Sequence, residues 1–257
     1  ANRRERFARL TRCSHRGLAA VYGRSNRRQH GLALYTGRLY MDASAPMNQQ
    51  SQSDPERFDP FAGFFLAQAE RPAGIEAVIA AELTPLQRAL LVIDGTVTTF
   101  LEAWVLEPVL VTRLWQRPHT LGTPDRWLEM PAGSTLTERA VLLSGARSRG
   151  FFAFAESRIN AGRLPATMRT ALEAGAAGLG QILLASGLES RREGLWCGRE
   201  HLRSLPAPVA ALTDGDFLTR SYRVTVGGLP LMQITERFAW RPIAVPVAAP
   251  GARLPSD

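Results

Sequence analysis

The sequence predicts an α+β fold on an antiparallel β-sheet, because two hairpin-like pairs of strand-patterned runs are separated by helix-patterned segments. The first pair is residues 137–144 and 151–159, joined by Gly145-Ala146-Arg147-Ser148-Arg149-Gly150. The second is residues 217–226 and 231–238, joined by Gly227-Gly228-Leu229-Pro230. Between the pairs, residues 164–174 and 179–185 read as helices, bounded by Pro165 and by glycines at 175, 178, 180 and 187.

Upstream of the first hairpin, Leu83-Thr84-Pro85-Leu86-Gln87 has the form of a helix start. Thr84 is the N-cap, Pro85 takes the first helical position and Gln87 completes a capping box. Leu86, Leu90 and Ile93 then form one apolar stripe. Asp94-Gly95-Thr96 breaks that helix, and Val97, Phe100, Leu101, Trp104 and Val105 repeat at helical spacing in a second one that ends before Pro108. After Pro108 the period changes to two: Val109, Val111 and Arg113 lie on one side, Leu110, Thr112 and Leu114 on the other, as in a strand.

Composition sets the class. Hydrophobic residues make up 45% of 257, and no apolar run approaches the roughly 20 residues of a membrane helix. The net charge of +8 would suit a nucleic-acid or anionic-membrane partner if it were spread over a folded face. Instead, ten arginines crowd residues 1–40 against one acid, Glu5, and the rest of the chain is close to neutral. Residues 1–60 therefore read as a disordered basic extension and a Ser/Gln/Asp/Pro-rich linker. Residues 61–243 form the domain, and residues 244–257 a Pro/Ala-rich tail. The extension has no apolar stretch of the secretory kind and no aromatic interleaving for base stacking, so neither a membrane nor a nucleic-acid partner is expected. Every basic residue is arginine, a compositional bias from which nothing functional follows.

Cys13 and Cys197 are too few and too far apart for a disulfide framework and fit a reducing, cytoplasmic setting. The histidines at 15, 30, 119 and 201 show no metal-ligand spacing, and no Gly-rich phosphate loop occurs. His119, read as a loop residue, and the five tryptophans at 104, 115, 127, 196 and 240 carry ordinary surface or packing readings, as does Cys197.

Two residues break the apolar pattern. In the last strand Glu236 shares a face with Met232, Ile234 and Phe238, while Gln233, Thr235 and Arg237 share the other. In the earlier strand Arg139 shares a face with Val141 and Leu143. A charge leaving water costs several kcal/mol unless it is paired or hydrogen-bonded. Three readings stand: Arg139 and Glu236 form a buried ion pair, one of the strands faces solvent, or the two charges line a pocket for an anionic ligand. In the last case Arg139 grips a carboxylate with its fork, and Glu236 meets a hydroxyl or supplies a proton, its pKa raised by desolvation.

Ordered short motifs add a resemblance. Leu83-Thr84-Pro85-Leu86-Gln87-Arg88, Asp94-Gly95-Thr96-Val97-Thr98 and Leu101-Glu102-Ala103 resemble the opening of the chorismate pyruvate-lyase family. Glu138-Arg139-Ala140-Val141-Leu142-Leu143, Ala155-Glu156-Ser157, and Leu179-Gly180 leading to Arg191-Arg192-Glu193 follow in the same order. Arg220-Ser221-Tyr222-Arg223 and Gly228-Leu229-Pro230-Leu231-Met232-Gln233-Ile234-Thr235-Glu236-Arg237-Phe238 close it, so the likeness spans about residues 83–238.

The resemblance implies an antiparallel sheet whose covering helices enclose an internal ligand cavity. It implies conversion of chorismate to 4-hydroxybenzoate and pyruvate with no metal or organic cofactor. By position, Arg139 matches the arginine that binds the ring carboxylate, and Glu236 the carboxylate that contacts the ring hydroxyl. Val97 and Leu179, with Gly180 beside it, match backbone positions that hold the ligand. A second arginine of ubiquinone-pathway members falls here near Glu156-Ser157, neither of them basic, and Arg192 and Arg220 are the candidate replacements. Two rivals fit the same pattern: a non-catalytic binding domain for aromatic acids, and a lyase forming another hydroxybenzoate isomer. Residues 1–60 offer no helix-turn-helix for a DNA-reading regulator.

Overall fold

A computed structural model describes residues 58–174 and 178–241. All but the last three residues of the expected basic extension, and the whole Pro/Ala-rich tail, lie outside the described residues.

A two-residue strand, β1 (Ile75–Glu76), precedes α1 (Pro85–Val92) and α2 (Val97–Val105). The Thr84 hydroxyl accepts from the Gln87 amide and the Gln87 side chain accepts from the Thr84 amide, which completes the capping box. There follow β2 (Val109–Thr120), β3 (Thr135–Gly145), β4 (Phe151–Ile159), α3 (Ala166–Ala174), α4 (Leu179–Ser186) and β5 (Ser190–His201). A four-residue α5 (Ala207–Ala210), β6 (Asp216–Val226) and β7 (Leu229–Ala239) complete the described chain. Gly227 and Gly228, at φ of 57° and 80°, make the two-residue turn between β6 and β7, a backbone that glycine adopts without steric cost.

The strands form one antiparallel sheet in the order β1-β5-β6-β7-β4-β3-β2. Alternation divides its two faces. On one face, Leu90, Leu91, Val97 and Leu101 of α1 and α2 pack with Val141, Leu143, Leu218 and Phe238. On the same face, Met168, Leu172, Ile182 and Leu183 of α3 and α4 pack with Ile159, Val224, Met232 and Ile234. Ile234 and Phe238 belong to different clusters, so Glu236 between them falls at the seam. The opposite face carries its own cluster, in which Phe154, Phe217 and Leu142 pack around Val209 of α5.

Two sequence readings need correction. His119 lies within β2 rather than in a loop, facing Leu136 of β3 in register. Pro118 suggested a loop, but β2 is an edge strand, and an edge position tolerates a residue without an N–H. The second concerns β5, a strand that no apolar alternation in the sequence announces. Its twelve residues contain two glycines and six Arg, Glu or His residues, and a register shift between Gly194 and Trp196 changes the phase of alternation halfway along.

Candidate active site

The face alternation of β7 points Glu236 toward the covering helices, and the residue is 6% exposed. Its counter-charge comes from the neighbouring strand. Register sets Arg220 of β6 opposite Glu236 and Tyr222 opposite Ile234. Arg220 Nε donates to Glu236 Oε2 at 2.8 Å, and Nη2 lies 2.8 Å from the same oxygen. The Tyr222 hydroxyl donates to Oε1 at 3.1 Å. Arg220 Nη1 donates to the backbone carbonyls of Leu91 and Ile93, at 3.4 and 2.9 Å, which ties the end of α1 to this carboxylate. A buried ion costs several kcal/mol in lost hydration, and a close pair with extra hydrogen bonds is the arrangement that offsets it. Burial first, and then the neighbouring Glu236 charge, push the Tyr222 hydroxyl far above the ordinary tyrosine range, so it remains a protonated donor.

Arg139 on β3 is 1% exposed, and burial, with the charge of Arg113 adding to it, pushes its guanidinium pKa down. The solvent-facing reading of these strands is therefore excluded for both residues. Glu236 and Arg139 sit on strands two apart, with β4 between them, and two residues out of line along the strands, so their backbones are roughly 12 Å apart.

Both line one cavity with about 570 Å³ of empty space, its open mouth included. Its space comes from β4, where Ala153, Ala155 and Ser157 present short side chains beneath the gap between the two helix pairs. Val141, Leu143 and Ile234 make the remaining floor apolar. The walls are the N-terminal ends of α2 (Thr96, Val97, Thr98) and of α4 (Gly178, Leu179, Gly180). Neither helix start receives a side-chain cap, so first-turn N–H groups and the positive ends of two helix dipoles are left for an anion. The two starts approach closely: a Cβ on Gly180 would lie 2.9 Å from Thr96 Cγ2.

Of the residues singled out from sequence, Arg139, Glu236, Val97, Leu179, Gly180 and Arg192 line this cavity together. Arg220 does not. It holds Glu236 from the side and borders an adjoining hollow shared with Arg192 and Tyr222. The sequence reading gave no role to Tyr222, Ser157, Thr96 or Thr98. Tyr222 had a legible signal, because the face of residues 217–226 that carries Leu218 and Val224 also carries Arg220 and Tyr222. Among the described residues no cluster of His, Cys, Asp and Glu has the makings of a metal site.

Residues 91–243 match the family model described as Chorismate pyruvate-lyase Rv2949c-like. The chain is 31% identical over 161 residues to a chorismate pyruvate-lyase of Mycobacterium tuberculosis (strain ATCC 25618 / H37Rv), a match covering 59% of this chain and 78% of the relative. It is 29% identical over 157 residues to one from Mycobacterium leprae, covering 59% and 72%. Among solved structures, the effector domain of PhnF from Mycobacterium smegmatis aligns with a TM-score of 0.44 at 12% identity, over 57% of this chain and 89% of that one.

Proposed function

Since the chain belongs to the Rv2949c-like chorismate pyruvate-lyase family, we propose that it converts chorismate to 4-hydroxybenzoate and pyruvate without a metal or organic cofactor. One observation carries this reading: Arg139 and Glu236, buried on strands two apart, line the same cavity with an otherwise largely apolar floor.

Arg139 grips the ring carboxylate, aided by the first-turn amides at Val97 and Leu179. Glu236 accepts a hydrogen bond from the 4-hydroxyl through the lone pairs of Oε1 that Tyr222 does not occupy. The C4–H bond gives up its proton, which Glu236 helps to move, and the C3–O bond breaks with its electron pair leaving on enolpyruvate. The ring becomes aromatic, and the enolpyruvate takes a proton and tautomerises to pyruvate, so no oxidant or reductant is needed. Aromatisation supplies the driving force. The protein's task is to orient the substrate and to place fixed charges where the charge develops.

Purified protein incubated with chorismate should yield 4-hydroxybenzoate and pyruvate in equal amounts, resolved by chromatography. A different substitution pattern on the ring would reassign the product. No aromatic product above the buffer control would reject the lyase activity. If aromatic acids still raised the melting temperature in that case, the cavity would be a binding site.

A further inference from the structure

We propose that Arg192 binds the enolpyruvyl carboxylate of the substrate and touches nothing on the aromatic product, so that this residue makes the cavity distinguish one from the other. The inference rests on the lyase reading above and assigns the part of the substrate which that reading leaves without a partner.

Among the described residues that line the cavity, three are charged: Arg139, Glu236 and Arg192. They stand in a fixed order across the sheet. Arg139 is on β3, Glu236 on β7 and Arg192 on β5, so the carboxylate lies two strands from each arginine. Chorismate has its own fixed order: a ring carboxylate, the C4 hydroxyl opposite it, and on C3, beside that hydroxyl, an ether bearing the second carboxylate. With the ring carboxylate at Arg139 and the hydroxyl at Glu236, the second carboxylate extends toward the β5 side. Arg220 is near, but its donors are engaged by Glu236 and by the carbonyls of Leu91 and Ile93. Ser157, on the strand where a second arginine was expected from the resemblance, offers no charge.

Arg192 is suited to exchange partners. Its side chain is 17% exposed, and Nη1 donates to the Asp94 backbone carbonyl at 3.3 Å while lying 4.0 Å from the Asp94 carboxylate, which is 74% exposed. A long contact to an exposed carboxylate is a weak tether, worth little in water. A substrate carboxylate enclosed in the cavity offers the guanidinium a shorter, charge-assisted pair in a lower dielectric. Arg192 also borders the adjoining hollow, so it stands between the two spaces. Once C3–O breaks, the aromatic product keeps its contacts with Arg139 and Glu236 and has nothing at Arg192.

The competing account is that Arg192 only pins the α1–α2 junction to β5 through Asp94. The two accounts separate when substrate and product are measured on the same variants. For Arg192→Gln, KM for chorismate should rise roughly tenfold or more, the value of a charged hydrogen bond, while the dissociation constant of 4-hydroxybenzoate stays within about twofold of wild type. Arg139→Gln should weaken both. Arg192→Lys, which keeps the charge but not the fork, should fall between wild type and the Gln variant and guards against a simple folding defect. An unchanged KM in Arg192→Gln, or product affinity falling in step with substrate affinity, overturns the proposal. If wild-type protein binds chorismate without turning it over, calorimetric dissociation constants replace KM: the lyase reading then fails, and the assignment of Arg192 is still decided. If wild type binds no chorismate, both fall.

Discussion

Glu107 shows how one side chain can fix a turn forty residues away. Its Oε2 accepts from the backbone N–H groups of Arg147 and Ser148, at 2.8 and 3.0 Å, and Oε1 accepts from the Ser148 hydroxyl at 2.6 Å. Those bonds, the Ser148 hydroxyl first, hold its carboxyl below the ordinary value of 4.5. A carboxylate with a depressed folded-state pKa adds stability that is fully present above its unfolded value and is lost as pH falls through the folded one. Glu107→Gln should therefore lower the melting temperature at neutral pH, and the gap to wild type should close on acidification below about 4.5. A gap that does not change with pH would assign the effect to shape alone. Within the cavity, Tyr222→Phe removes a single hydrogen bond to the Glu236 carboxylate while keeping the ring, and turnover of chorismate should drop roughly tenfold with little change in melting temperature. Unchanged turnover would leave Tyr222 a packing residue. Cys197 has the bland role expected for it: it is buried, and its thiol is pushed up to about 12, chiefly by burial.

At the scale of elements, the two helix pairs do more than cover the sheet. α1–α2 and α3–α4 each bury their own apolar cluster, and the cavity is the space where the clusters fail to meet, above the short side chains of β4. Its height depends on how closely the starts of α2 and α4 approach, which Gly180 against Thr96 decides. Gly180→Ala should push Thr96 or the start of α4 aside and raise KM for chorismate several-fold, the helix itself gaining from the better helix former by roughly 1 kcal/mol. An unchanged KM would mean that Thr96 rotates away without moving the wall. β5 illustrates the limit of pattern reading. Its Arg223–Glu193 and Arg199–Asp216 pairs, at 2.5 and 3.0 Å, add charges to its ladder with β6, its buried apolar residues are confined to Leu195, Trp196 and Cys197, and its bulge breaks the period.

For the whole molecule, the sheet order carries the energetic prediction. β7 is paired on both sides, to β4 and β6, while β2 forms one edge and the two-residue β1 the other. Amide exchange should be slowest in β7, β4 and β6, and faster along the outward-facing amides of β2. Equal protection in β2 would mean that its edge is paired with another chain. No described helix is long and apolar enough to cross a membrane.

Taken from the sequence alone, both hairpins, the capping box at Thr84, the two helices broken at Asp94-Gly95-Thr96, and the inward faces of Arg139 and Glu236 were legible. Each depends on a period of two or 3.6 residues or on a cap a few residues long, and such signals are local. The joining of Arg139, Glu236 and Arg192 in one cavity, and the pairing of Glu236 with Arg220 rather than with a ligand-facing group, were decided by tertiary structure. Strand order and register are set by which faces bury together across the whole sheet, a sum of many side-chain contacts that no single stretch of chain contains.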